Sequence, residues 1–480
     1  MKYNEIKNYL NGEFVSGEGD KYDIYAPING EIIGEFKAAT KVQLDEVVAK
    51  AKVAQASWGS LTAKSRSKII YNYRELLIKY REELSIINCE ENGKSIEEAY
   101  AGVDKAIELT EFACSIPQLI SGKSQDVSRG INCKEEKRPI GVVASITPFN
   151  FPVMVPHWSV PNAIALGNAM ILKPSELTPI SATKMAELWE EAGLPNGIFN
   201  VVNGGKEIVE GICDNKDIVA VSFVGSTPVA KIVHNRSTAN GKRVLALGGA
   251  KNHIVVMPDA NADAGSRDII SSAFGMSGQR CMAVSVLIGV GNIQKVYSEV
   301  IRKSREMIVG VDIPPVITPA AIKKISDYLD FAKEAGAEIV LDGREALTDK
   351  GYFIGPSIID WKDIDKMSDE EIFGPVLEIR HANTIVEAAK IQNKSPYGNA
   401  AAIFTQNGRY VDEAIREFQA GMLGVNIGVP VPREPFSFGG IKDSKFGYGD
   451  ITGVSSINFW TNLIKITTKW NPEHKVDWMS

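Results

Sequence analysis

Cysteine and histidine are scarce in this chain, with five of each among 480 residues. Cys89, Cys114, Cys133, Cys213 and Cys281 are odd in number, widely spaced and free of any CxxC pair, which argues against a disulfide framework. His157, His234, His253, His381 and His474 are equally scattered, so neither residue type has zinc-ligand spacing, and no metal is expected. Long apolar runs are missing too. The most apolar stretch, Val142 to Leu172, is broken by Pro148, Pro152, Pro156 and Pro161, and no transmembrane helix fits it. The opening MKYNEIKNYLNGEF has no apolar segment of a secretory signal. No basic block or acidic tail points to nucleic acid, and no membrane association is expected. Together these absences imply a reducing, cytoplasmic setting.

What is present is a globular composition, 44% hydrophobic and 23% charged with a net charge of −6, long enough for two or three domains. Val42, Leu44, Val47, Val48 and Ala51 recur at near-helical spacing. Ile69, Tyr73, Leu76, Leu77 and Tyr80 do the same over Ser65 to Cys89, and a third helix starts near Ser95. The first hundred residues therefore read as largely helical. Beyond them, GVVASITP, AMILKP, IFNVVNG and IVAVSFVGS are short β-branched runs ending in Pro or Gly, most followed by a helical stretch. That alternation predicts a parallel sheet buried on both faces, with ligands beyond the strands' carboxyl ends. The loops to inspect are Thr147–Pro152, Lys173–Glu176, Asn203–Gly205 and Gly225–Thr227. HIVVM, VSVLIGV, AEIVLDG and AAIFT repeat the pattern as a second α/β unit. Residues 121–139 alternate like a hairpin. The strand pattern NFWTNLIKITTKW near the end has no evident partner, which predicts pairing across a subunit boundary.

Four stretches bear on chemistry. FVGSTPVA puts Gly225 and Ser226 at a strand-to-helix junction, where free N–H groups and the helix dipole suit a phosphate; an ordinary α/β turn reads the same way. It lacks the full GxGxxG fingerprint of ordinary Rossmann dehydrogenases. KPSE offers Lys173 and Glu176 to ribose hydroxyls, or is a solvated turn. In PFNFP, Asn150 is either an oxyanion donor or an Asx-turn residue. Cys281, in GMSGQRCMAV, is either an apolar filler or a nucleophile whose thiolate the adjacent Arg280 and the free N–H groups of a turn would favour.

PFNFP, KPSE, FVGST, GQRC, EIFGP and PFSFGGIKDS follow one another in an order and at spacings that resemble the aldehyde dehydrogenase superfamily over essentially the whole chain. The resemblance implies an α/β fold with a Rossmann-type NAD-binding domain at 1–120 and 140–248. It also implies a second α/β catalytic domain at 249–450 and an oligomerisation element of hairpin and terminal strand at 121–139 and 451–480, hence a homodimer or homotetramer. Cys281 would attack the aldehyde, with Asn150 and the Cys281 N–H holding the oxyanion. NAD would meet Thr147, Phe149, Lys173, Ser175, Glu176, Gly204, Gly225, Ser226, Glu371 and Phe373, with Glu176 disfavouring a 2′-phosphate.

One departure changes the expected outcome. Hydrolytic members carry a water-activating glutamate in ELGGK; here the region reads VLALGGAKNH, and aligned on Lys251 that position is Leu247. General-base assistance is worth roughly 10²–10⁴ in rate, so another acyl acceptor is expected. GAKNH, NFPVMVPHW and GQRCMA most resemble the methylmalonate-semialdehyde dehydrogenase branch, in which coenzyme A takes the acyl group. That branch handles anionic aldehydes. Arg280 is the expected anion partner, Lys105 stands where the branch usually has a second arginine, Trp158 is a pocket wall, and His157 is either another partner or a packed histidine. Malonate or methylmalonate semialdehyde is the first-choice substrate, with a sulfonated or phosphorylated aldehyde as the alternative. The rivals are oxidation to the free acid and a catalytically inactive NAD-binding protein. The connection Met307–Lys324 is shorter than usual and is expected to alter only a surface loop.

Overall fold

The computed structural model describes residues 1–362, 364 and 366–470. Two large sheets organise it. In the first, parallel strands Phe199–Val201, Ala169–Lys173, Val142–Ile146, Ile218–Val224 and Arg243–Leu247 lie side by side in that order. Antiparallel strands close both edges: Asn8–Leu10 with Glu13–Val15 on one side, Lys445–Gly447 on the other. Val142–Ile146 and Ala169–Lys173 are buried at every position, as a parallel strand covered by helices on both faces requires.

The second sheet runs Glu338–Leu341, Ser357–Asp360, Val376–Ala382, Val284–Val290, Asn252–Val256, Ala400–Phe404, Met422–Val425, parallel except for its first pair. Helices of the first hundred residues pack on the first sheet. Helix Ile96–Cys114 begins in a reciprocal cap: Ser95 Oγ accepts from the Glu98 N–H and Glu98 Oε2 from the Ser95 N–H, satisfying two otherwise orphaned donors.

Two expectations are corrected here. The helical reading holds for Lys41–Ser60, Ala63–Lys79, Arg81–Asn92 and Ile96–Cys114 but fails for the first forty residues, where Lys21–Ala26 and Glu31–Lys37 form a hairpin and two three-residue strands precede it. Their signal was Asn29-Gly30, with Gly30 at φ 73°, a turn pair that short flanking strands obscure. The terminal strand Thr461–Lys469 does have a partner within its own chain. It pairs antiparallel with Ile131–Pro139, from Thr461↔Pro139 to Lys469↔Ile131, because two nine-residue strands match along their whole length. Ser124–Ser128 completes that three-stranded sheet. Residues 471–480 of the expected oligomerisation element lie outside the described residues.

Candidate active site

The site starts with a turn. Met276, Ser277 and Gly278 all adopt positive φ (51°, 53° and 67°), a conformation costing roughly 1–3 kcal/mol at each non-glycine residue. Three contacts hold it. The Met276 N–H donates to Glu98 Oε1 at 2.6 Å, Ser277 Oγ donates to the Pro314 carbonyl, and Ile317 N–H donates to Gln279 Oε1 at 2.9 Å. The connection Met307–Lys324 is thus not a surface loop remote from the chemistry. Two of its three prolines, Pro314 and Pro315, present carbonyls to the turn that delivers Cys281, because proline keeps its acceptor while the ring fixes the chain.

Cys281 is free, as are the other four cysteines. Burial, and then the Glu371 carboxylate, push its thiol up to about 12. Arg280 does act as expected, its charge working to lower the thiol, but the guanidinium is also paired with Glu98, 2.8 Å away, and desolvation outweighs it. Asn150, which is buried, donates Nδ2–H to the Gln279 carbonyl at 2.9 Å. That bond fixes the amide plane two residues from the nucleophile and leaves its second N–H uncommitted among the described residues.

Two cavities meet at this cysteine, and among their described lining residues Cys281 is the one they share. The first, about 630 Å³, lies beyond the carboxyl ends of the first sheet. Thr147, Phe149, Asn150, Lys173, Ser175, Glu176, Gly225, Ser226, Glu371 and Phe373 all line it. Gly204 does not: it packs against Ile208, and Gly205 lines the cavity in its place. Ser226 caps helix Thr227–Ala239, so free N–H groups open onto this space. Lys173 donates to Glu176 Oε2 at 2.8 Å. Burial works to raise the Glu176 carboxyl, but the lysine's charge and hydrogen bond prevail and hold it below the usual range. Glu371 accepts from the Ala250 N–H at 2.8 Å, and burial raises it to about 7. Beneath it, Lys251 pairs with Glu378 at 2.5 Å and donates to the Glu370 carbonyl at 2.9 Å, both side chains wholly buried.

The second cavity, about 580 Å³, brings together Arg280, Lys105, Trp158, Phe151, Met154 and Phe438. Each of its carboxylates is ion-paired: Glu98 with Arg280, Glu108 and Glu434 with Lys105, Asp104 with Arg81. Arg433 lines it with no ion pair among the described residues. Sequence reasoning passed over Arg433, Glu434 and Glu98; the charged pair inside the proline-rich VPVPREPF was the available signal. His157 is corrected to a packed residue. Its Nδ1 meets the Val153 carbonyl at 2.7 Å and its Nε2 the Tyr73 hydroxyl at 3.0 Å, away from either cavity. Leu247, where a water-activating glutamate would stand, is buried and lines neither.

Residues 14–466 match the aldehyde dehydrogenase family. The chain belongs to that family. The enzyme is 42% identical to malonate-semialdehyde dehydrogenase 2 of Geobacillus kaustophilus, covering 97% of this chain and 99% of that one. It is equally similar, at 42% identity, to malonate-semialdehyde dehydrogenase 2 of Bacillus anthracis, covering 97% and 98%. Among solved structures it resembles the methylmalonate-semialdehyde dehydrogenase of Oceanimonas doudoroffii, with a TM-score of 0.95 at 38% identity over 98% of this chain and 99% of that one. The same values hold for a protein of Sinorhizobium meliloti, assigned as a methylmalonate-semialdehyde dehydrogenase and crystallised with NAD. No helix of this dehydrogenase, among the described residues, is long and apolar enough to cross a membrane.

Proposed function

We propose that the enzyme oxidises a small anionic semialdehyde, malonate or methylmalonate semialdehyde, with NAD, and passes the acyl group from Cys281 to coenzyme A. The observation that carries this reading is the meeting of two cavities at one cysteine. The larger fits a dinucleotide: its volume is that of a cofactor pocket, glycine and a helix start offer N–H groups to phosphates, and Lys173 with Glu176 suits a ribose. Glu176, held ionised, supports NAD over a 2′-phosphorylated cofactor. NAD, when bound, supplies the two-electron acceptor for hydride.

The residues then divide the work. Cys281 releases its proton to solvent as its sulfur bonds to the aldehyde carbon, and Asn150 Nδ2–H with the Cys281 N–H takes the oxyanion charge. Loss of hydride from that carbon restores the carbonyl as a thioester on Cys281. Leu247 cannot deprotonate water, and the carboxylates of the second cavity are each tied to a cation, so water is a poor acceptor. The coenzyme A thiol takes the acyl group and returns Cys281. Arg280 and Lys105 hold the substrate's anion; Arg433 on the same wall brings the cations to three against the three carboxylates Glu98, Glu108 and Glu434, and in a cavity so closely balanced a carboxylate fits better than the more highly charged phosphate. Free thiols fit a reducing, cytoplasmic setting, and the outer edge of Thr461–Lys469 is where a second copy would join.

A panel of C2–C4 aldehydes with and without an anionic group, given NAD with and without coenzyme A, tests the proposal. Acyl-CoA and coenzyme A-dependent NADH formation with the semialdehydes are expected. Equal rates with free acid as sole product would remove the acylating claim and point to Glu371, raised to about 7, as the base for water. No turnover with any aldehyde would leave an NAD-binding protein.

A further inference from the structure

The segment ENGK, Glu91–Lys94, touches neither cavity, yet it carries a buried lysine whose amine burial lowers to about 7. A buried polar group costs free energy unless it is hydrogen-bonded, so the target of its N–H groups is informative. Lys94 Nζ donates to the Asn150 carbonyl at 2.7 Å, and Asn92 Nδ2 donates to the Phe149 carbonyl at 2.9 Å. Those two carbonyls belong to the two peptide units that meet at the Asn150 Cα. Both planes flanking the oxyanion donor are therefore pinned by side chains two residues apart. Gly93 between them lies at φ 87°, which turns both side chains to the same strand end, and a Cβ there would come within 2.7 Å of Pro315 Cγ.

The contacts close into a ring. Pro315 lies against Gly93 and accepts from Gln279 Nε2 at 3.4 Å; the Gln279 carbonyl accepts from Asn150 Nδ2; the Asn150 carbonyl accepts from Lys94. Glu91, wholly buried, anchors the segment on helix Ile180–Glu191 by accepting from the N–H groups of Ile180 at 2.7 Å and Ser181 at 3.1 Å. Lys94 Nζ also stands 4.6 Å from the Phe151 ring centre.

We propose that Lys94, with Asn92, is a positioning residue: it sets the place of the Asn150 amide relative to Cys281 and acts on the reaction only through that amide. The inference rests on Asn150 being the oxyanion donor.

The test compares Lys94→Met, which keeps volume but removes the donor, with Asn150→Ala and the double variant, on whichever aldehyde the enzyme turns over. Displacing a reacting group by an ångström costs about 10²-fold, so kcat of Lys94→Met should fall about 10- to 100-fold. The aldehyde KM and NAD affinity should stay within about twofold, the signature of an interaction made in the transition state. Cys281 alkylation by iodoacetamide should keep its rate, and Lys94→Gln, which retains an N–H donor, should recover part of kcat. The double variant should be no slower than Asn150→Ala alone. Multiplying losses in the double variant, or a kcat for Lys94→Met within about threefold of the parent, would overturn the proposal. A full-rate Asn150→Ala would overturn both it and the reading of Asn150; a slow Asn150→Ala beside a fast Lys94→Met overturns the Lys94 role alone. If Lys94→Met does not fold, Asn92→Ser reads the same coupling to Asn150 from the companion clamp.

Discussion

Arg280 donates to Glu98 Oε1 at 2.8 Å, the same oxygen that accepts the Met276 N–H. The residue beside the nucleophile is thus tied to the first turn of helix Ile96–Cys114, and the pair sits in the wall of the second cavity. Charged hydrogen bonds contribute about 1.5–3 kcal/mol, so Arg280→Ala should lower kcat/KM for an anionic semialdehyde about 10- to 100-fold. A neutral aldehyde of the same length should be little affected. Adding Glu98→Gln should recover part of the loss by removing an unpaired charge from the wall while keeping an oxygen for the Met276 N–H. Steady-state kinetics on matched charged and neutral aldehydes read the difference.

The thiol of Cys281, pushed up to about 12, holds its proton at neutral pH in the cofactor-free enzyme. Iodoacetamide labelling followed by mass spectrometry should accelerate steadily from pH 7 to pH 9 without a plateau, since thiolate grows about tenfold per unit below the pKa. Glu371, at about 7, is ionised at the upper end of that range and opposes the thiolate. Glu371→Gln should therefore label faster than the parent at pH 9. At pH 6, where Glu371 is itself largely protonated, the two should converge.

Lys251 and Glu378 form a wholly buried ion pair, and Glu378 Oε1 also accepts from the Tyr328 hydroxyl at 2.6 Å and Trp361 Nε1 at 2.9 Å. Breaking one side of such a pair costs about 3–5 kcal/mol, so Lys251→Met should lose that much in urea unfolding. Combining it with Glu378→Gln should lose less, because the amide keeps an acceptor for Tyr328 and Trp361 without leaving a bare charge.

Glu176 faces the first cavity with its carboxyl held ionised by Lys173. Replacing it as Glu176→Gln should raise the ratio of kcat/KM for NADP over NAD about fivefold, the effect of removing about 1 kcal/mol of like-charge repulsion near water. An unchanged ratio would take the cofactor preference away from this residue.

The strand-end loops were legible in the sequence because parallel α/β chains advertise them: β-branched runs ending in Gly or Pro put Asn150, Lys173 and Ser226 on one rim. What escaped depends on distances along the chain that no local pattern carries. Arg280 adjoins Cys281 in sequence, yet its charge is spent on a carboxylate 182 residues away, and burial decides the thiol. Lys94 reads as a surface lysine until its partner, 56 residues on, is known. Gly204 and Gly205 are neighbours, a difference below the precision of a motif, and the prolines of Met307–Lys324 show their purpose only against the turn they brace.

The sulfur of Cys281 stands in a wall with a chamber on either side. A molecule entering one chamber does not have to wait for the other to empty. On the proposed assignment, reduced cofactor leaves the first chamber while the acyl group stays attached to Cys281 beside the second. Traffic through the enzyme is set by this partition: two queues, one counter.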